Sequence, residues 1–289
     1  MLVPSVDDPE LSTHVSRPAS VRDHGRKLKV RRLWPSWVLT AMQISILTSV
    51  LALWEIAARQ EWIDAFFWSM PSKILNRFKT FVTSGGAFAD TWFTFRSTVL
   101  AFVLGTLLGA VIGLSFWWSR NYARIAQPFL ICFEATPKLA LAPLIVLIFG
   151  IGMASKVALG IALTVVVTTL TTFAAVRVVD PDLQKLMYSL GANRWQVFNK
   201  LVVPSVLPWI ISSLRINIGL ALTGAVIGEF ISSEEGLGRQ IMYASQVHDI
   251  PLIWVAVGIL SLLSMAMYLT IGQVERILLK GLMHGSKLQ

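Results

Sequence analysis

Glu134 and Lys138 stand four residues apart in the otherwise apolar run 125–152, with Pro137 between them. On a helix that spacing brings opposite charges within reach of each other. The proline removes a backbone hydrogen bond and should kink the helix. Ionisable side chains are costly in an apolar medium, and where they persist they mark solute or ion pathways. The segment therefore either lines the inner part of a path through a membrane or forms a structural pair near the headgroups. A second apolar run, 206–231, carries Arg215 and Asn217 near one end, Thr223 midway and Glu229 near the other. Arg215 is read as a side chain that snorkels to the interface. Asn217, Thr223 and Glu229 recur every six residues, which does not hold them on one helical face. Glu229 precedes the segment 232–248 and suits an interfacial position, with an outer gate as the further option.

These groups hold or guide charge, and no catalytic residue is expected. The phosphate-binding pattern G-x-x-x-x-G-K-[ST] is absent from the sequence. His14, His24, His248 and His284 are scattered without metal-ligand spacing, so no metal and no cofactor of this chain's own are expected. The single cysteine, Cys132, lies in an apolar run and reads as a packed, inert thiol.

The elements that position these residues follow from composition. The chain has 289 residues, 55% hydrophobic and 14% charged, with mean hydropathy +0.65. A soluble domain carries about 25% charged residues. The apolar residues come in blocks long enough to cross a bilayer, for which about 20 are needed. Six such blocks occur, at 37–54 (extendable to 58), 97–119, 125–152, 157–176, 206–231 and 250–274. The expected fold is all-α, a polytopic membrane protein with about six transmembrane helices. A basic N-terminal tail (1–36) and a short C-terminal tail (281–289) flank one membrane domain, 37–280.

With Arg96 at the edge of the second block left aside, sixteen Lys and Arg outside the blocks lie on the side of the N terminus and six on the other, four of them in 59–91 with Lys156 and Arg239. The positive-inside rule then places both termini in the cytoplasm. The net charge of +9 is thus topological, and a nucleic-acid partner is not expected. The basic stretch 26–32 directly precedes the first block, and residues 1–24 are expected to be disordered. Gly105, Gly109 and Gly113 form a ridge of small residues, as do Gly224 and Gly228, suited to close helix packing or to a sliding contact.

The segment 180–204 between the fourth and fifth blocks is the most informative. Leu183, Leu186, Met187 and Leu190 fall at i, i+3, i+4 and i+7, one face of a helix. Asp180 and Asp182 suit its N terminus, with Pro181 at the first position. Gly191 ends it, Ala192 follows, and Trp195 and Phe198 give a second short helix an apolar face. Pro204 and Pro208 punctuate the start of the fifth block. An amphipathic hairpin of this kind exposes apolar side chains and needs a partner or the lipid surface.

This segment resembles the EAA loop of ABC importer permeases, whose pattern is E-A-A-x3-G-x9-I-x-L-P. Gly191 stands at the glycine, Pro204 follows thirteen residues later, and Leu201 and Val203 take the two aliphatic positions. Lys185, Leu186 and Met187 replace E-A-A. The resemblance therefore implies helix-in-groove docking without the family's glutamate contacts. It extends over about residues 60–280 and is similar to the nitrate, sulfonate, taurine and pyrimidine-precursor branch. The supporting stretches are 136–144, 149–152 followed by Ser155-Lys156, and 228–230 with 236–238.

The resemblance implies a coupling surface made of Leu183, Leu186, Met187, Leu190, Gly191, Ala192, Trp195, Phe198 and Pro204. It also implies ABC ATPase subunits that bind the ATP, an extracytoplasmic solute-binding protein, a permease homodimer and a place in the cell (inner) membrane. Two other functions compete. A secondary transporter would show discontinuous spans in matching halves, and no internal repeat is evident. A membrane scaffold would explain the hairpin but not the intramembrane charges and proline.

Overall fold

The computed structural model describes residues 35–285. The basic stretch 26–32, the disorder expected of residues 1–24 and the last four residues lie outside the described part. The described elements are helical: α1 (Ser36–Arg59), α2 (Ala65–Trp68), α3 (Pro71–Thr83), α4 (Gly86–Ser115), α5 (Arg120–Ala135), α6 (Ala142–Phe149), α7 (Met153–Val178), α8 (Pro181–Ser189), α9 (Arg194–Val197), α10 (Val203–Ile231), α11 (Leu237–Gln246) and α12 (Ile250–Gly285). Of the described residues, those up to Ser49, the start of α1, belong to one unit. The chain from Val50 onward forms the second.

Within the second unit α7 runs between α4 and α10, and glycines set the spacing. Gly105, Gly109 and Gly113 of α4 face Thr164, Thr168 and Thr172 of α7, and a Cβ on any of the three glycines would overlap its threonine. On the same stripe of α7, Gly160 meets Gly224 of α10, and Gly228 of α10 meets the backbone of Lys156. Lipid gives helices no hydrophobic reason to associate, so van der Waals contact at such seams holds them together. Two of these threonine hydroxyls are satisfied within their own helix, Thr164 donating to Gly160 O (2.8 Å) and Thr168 to Thr164 O (2.8 Å). Both glycine ridges are thus packing surfaces.

Five helical stretches are long and apolar enough to cross a membrane: Ser36–Arg59, Gly86–Trp118, Met153–Val178, Arg194–Ile231 and Ile250–Gly281. The expected third span differs. It is broken into α5 and a second piece, Lys138–Phe149, bent by 80°. The cause is local. A residue before proline is pushed out of the helical region, and Thr136 adopts φ −66°, ψ 129°. Pro137 therefore breaks the helix instead of kinking it. The expected pairing of Glu134 with Lys138 also fails, because the Lys138 ammonium donates to the Glu134 carbonyl oxygen (3.1 Å) and not to its carboxylate. Cys132, expected to be packed, is exposed on α5.

Two further spans outrun their apolar blocks. Helix α4 begins at Gly86 and so carries Asp90 and Arg96, and α12 continues through Glu275 and Arg276. That extension gives Arg215 a partner. The guanidinium pairs with Glu275 and lies over the Tyr268 ring, 5.7 Å from its centre, where a snorkelling side chain was expected.

Candidate functional site

The chemistry-bearing side chains gather at two ends of the helical bundle. At one end is the hairpin. Asp180 caps α8, accepting from the Asp182 N–H (2.8 Å). At the far end Gly191 N–H donates to Tyr188 O (3.0 Å) and Ala192 N–H to Met187 O (3.0 Å). This pair of bonds is a Schellman ending, which needs a left-handed residue after the helix. Gly191 has φ +81°. A β-carbon there would be strained, so glycine is the residue that lets the chain reverse. Asn193 then starts α9 with a capping box, exchanging 2.8 Å bonds with Gln196.

The second helix of the hairpin is not separate. From Arg194 to Ile231 the helix is continuous, with a π-turn at Phe198–Val202. Pro204 cannot donate to the preceding turn, and the widened turn before it absorbs that loss without a break. The prolines thus shape α10 and do not end a helix.

The expected coupling residues are brought together on this surface. Leu183, Leu186, Leu190 and Trp195 are exposed, Leu190 by 78%, while Met187 and Phe198 are half-buried. Beneath them lies an aromatic cluster. Trp118 stacks on Trp195 with centres 6.0 Å apart, and Trp117 and Trp118 each lie within 5.6 Å of Phe198. The Arg194 guanidinium sits over both tryptophans, at 5.6 and 5.4 Å, and donates to Trp118 O. Phe198 also packs against the buried cluster of Val176, Val179, Val202 and Val206. The hairpin is therefore fixed to the ends of α4, α7 and α10. Trp117, Trp118 and Arg194 were not singled out from sequence, although the run Phe116-Trp117-Trp118 beside Arg120 marks a membrane boundary.

At the other end a buried polar network holds α11 against α4 and α10. The Glu229 carboxylate is 1% exposed. It accepts from Thr94 Oγ1 (2.9 Å) and from Gly238 N–H (2.8 Å). Thr94 in turn accepts from Leu237 N–H (3.0 Å). Asp90 accepts from Gly236 N–H (2.8 Å) and from Gln240 Nε2 (2.7 Å). The Lys156 ammonium donates to Ile151 O and Ser232 O. Lys156, counted above among the charges outside the spans, is fully buried. Glu229 therefore faces the interior of its own chain instead of an external interface.

The residues proposed for a path do not converge. Asn217 is fully buried and donates to Thr168 Oγ1 (2.8 Å) and Thr106 Oγ1 (3.2 Å), which ties α10 to α7 and α4. Thr223 lies on a different face, in a shallow groove of about 670 Å³ between α10 and α12. Glu134 and Pro137 are exposed at the α5–α6 break, with Lys138 half-buried. Among the described residues no cluster of His, Cys, Asp and Glu is arranged to hold a metal.

Residues 105–280 match the family model described as "Binding-protein-dependent transport system inner membrane component". The chain belongs to this family. It is an ABC importer permease, as the hairpin pattern implied, and not a carrier driven by an ion gradient. The permease is similar to the riboflavin transport system permease protein RibX of Chloroflexus aurantiacus, 31% identical over 244 residues, 84% of this chain and 91% of that protein. It is 33% identical over 235 residues to the formylaminopyrimidine transport permease protein ThiX of Halalkalibacterium halodurans, covering 80% and 91%. It is 26% identical over 258 residues to the taurine transport system permease protein TauC of Escherichia coli, covering 88% and 93%. The fold matches a solved structure of the MetNI methionine ABC transporter in inward-facing conformations, with TM-score 0.55 and 17% identity over 65% of this chain and 94% of that one.

Proposed function

We propose that this permease converts the closing of a separate ATPase subunit, docked on the α8 hairpin, into passage of a small solute delivered by an extracytoplasmic binding protein. The observation that carries this reading is the exposed apolar face of Leu183, Leu186 and Leu190 on a helix that turns at Gly191 into α9, after which Phe198 packs against the Val176, Val179, Val202 and Val206 cluster. A surface that is apolar and rigidly mounted suits a groove in a partner. One hairpin per chain serves one ATPase, so the working unit is a permease homodimer with two ATPases. ATP, bound by those partners, favours the closed arrangement of the pair, and the differential affinity for the two states is what drives alternating access.

The α8 end is cytoplasmic in this reading, with both termini on that side of the inner membrane, consistent with the distribution of Lys and Arg. Residues 37–280 act as the permease domain. The α5–α6 break, with Glu134, Pro137 and Lys138, lines the inner part of the path, and Thr223 contributes from its groove. Asn217 and Glu229 hold the helices that frame the path. The solute is of the heteroaromatic vitamin or pyrimidine-precursor kind, in line with the relatives named for riboflavin and formylaminopyrimidine.

Co-purification from native cells in mild detergent tests the docking. An ATPase is expected at one copy per permease and is expected to be lost in Gly191→Pro, which disrupts the turn. Recovery of the chain without any ATPase in both forms would defeat the reading. Uptake of labelled riboflavin or formylaminopyrimidine that depends on this chain, without uptake of taurine, is expected for the solute assignment, and the reverse would overturn it.

A further inference from the structure

Beside the base of α8 lies a cavity of about 560 Å³. Arg120 and Arg124 of α5 and Arg177 of α7 frame it, and Gln127 and Gln184 add two amides. No acidic side chain lines it. Among the described residues none of the three arginines takes part in an ion pair, although Arg177 lies over the Phe173 ring at 5.7 Å. The floor is apolar, made by Phe116, Phe173 and Val176. Three uncompensated guanidiniums at one cavity repel one another, and a bound anion removes that cost. Arginine's planar fork suits a phosphate in particular.

The position selects the source of the phosphate. Arg177 occupies the last turn of α7, a membrane span. Trp117, Trp118 and Tyr122 stand alongside, as aromatic residues do at headgroup depth. Farther along the cavity-facing side of α5, three and four residues on from Gln127, Leu130 is half-buried and Ile131 is 54% exposed. Such an apolar strip next to a basic cavity accommodates an acyl chain below its headgroup. We propose that the cavity framed by Arg120, Arg124 and Arg177 binds the headgroup phosphate of an anionic lipid. An occupied site would brace α5 against α7 at the base of the coupling helix. The proposal rests on the cytoplasmic assignment of this end, but its test does not require the ATPase.

The test uses the full-length chain in mild detergent, with phosphatidylglycerol or phosphatidylcholine added at equal amounts and the lipid retained per chain read by native mass spectrometry. Phosphatidylglycerol is retained in preference. Each arginine near a headgroup contributes about five-fold in affinity, so Arg120→Gln/Arg124→Gln/Arg177→Gln loses on the order of 100-fold. Lys73→Gln/Lys79→Gln, which removes two charges on α3, leaves retention unchanged. If the triple variant aggregates, Arg124→Gln alone is expected to lose about five-fold. Equal retention of the two lipids, or undiminished phosphatidylglycerol on the arginine variants, overturns the proposal. Displacement of the lipid by millimolar inorganic phosphate would make this a site for a free anion. Displacement by the docked ATPase would assign it to an acidic side chain of the partner. Either result removes the lipid assignment. Absence of any ATPase from the unaltered chain, with lipid retention intact, would count against the coupling reading and leave this one standing.

Discussion

The two ends of this permease solve opposite problems with different side chains. At the α8 end, apolar side chains stand exposed on a short helix whose own turn and cap are fully bonded. At the α11 end, charged and polar side chains are buried, and the backbone N–H groups of Gly236, Leu237 and Gly238 are each taken by a side chain of α4 or α10. The first surface has stability to spare and an unmet need for a partner. At the second, the buried carboxylates of Asp90 and Glu229 are met within the chain. Substitutions at the α11 end should therefore act on folding, and those on α8 on assembly.

The largest effect is expected from Glu229→Ala. It leaves the Gly238 N–H without its acceptor, leaves the Thr94 hydroxyl only the Asp90 carbonyl, and takes from Lys156 its nearby opposite charge. Removing one member of a buried charged group costs about 3–5 kcal/mol. Thermal unfolding in detergent should show a marked loss, and an unchanged transition would mean the network does not hold α11. Next comes Gly109→Val in the α4–α7 seam, where the added atoms overlap Thr168. Overpacking there costs about 1–3 kcal/mol, and the same unfolding assay should rank it below Glu229→Ala.

Gly191→Ala is smaller. The left-handed backbone costs an alanine about 1–2 kcal/mol, and the reversal after α8 should loosen. Its sharper signature is in assembly, where ATPase recovery should fall more than the unfolding temperature does. The smallest stability effect is expected from Leu186→Ala. The side chain is 54% exposed, and a surface change of this kind stays within about 0.5 kcal/mol. If it destabilises the isolated chain as much as Gly109→Val, the contrast between the two ends is wrong.

The α8 surface was legible in the sequence because all its determinants are local. Helical spacing placed Leu183, Leu186, Met187 and Leu190 on one face, and Gly191 marked the reversal. The α11 network was not legible, since it joins residues as far apart as Asp90 and Gln240, paired only by the packing of three helices. Lys156 sat at the edge of an apolar block and looked like a loop charge, whereas α7 begins before it and buries it. Pro137 announced a distortion. A proline inside a helix permits either a kink or a full break, and the extended backbone of Thr136 decides for the break. The aromatic cluster under α8 was half visible. Trp195 and Phe198 were noticed, but Trp117 and Trp118 were absorbed into the end of an apolar block.

The most direct test of the central claim is ATPase stoichiometry after mild-detergent purification of Leu183→Asp/Leu186→Asp beside the unaltered chain, with unfolding temperature measured on the same samples. The account predicts an equal unfolding temperature in both and one ATPase per permease only in the unaltered chain. An ATPase retained at full stoichiometry on the doubly charged face would contradict it.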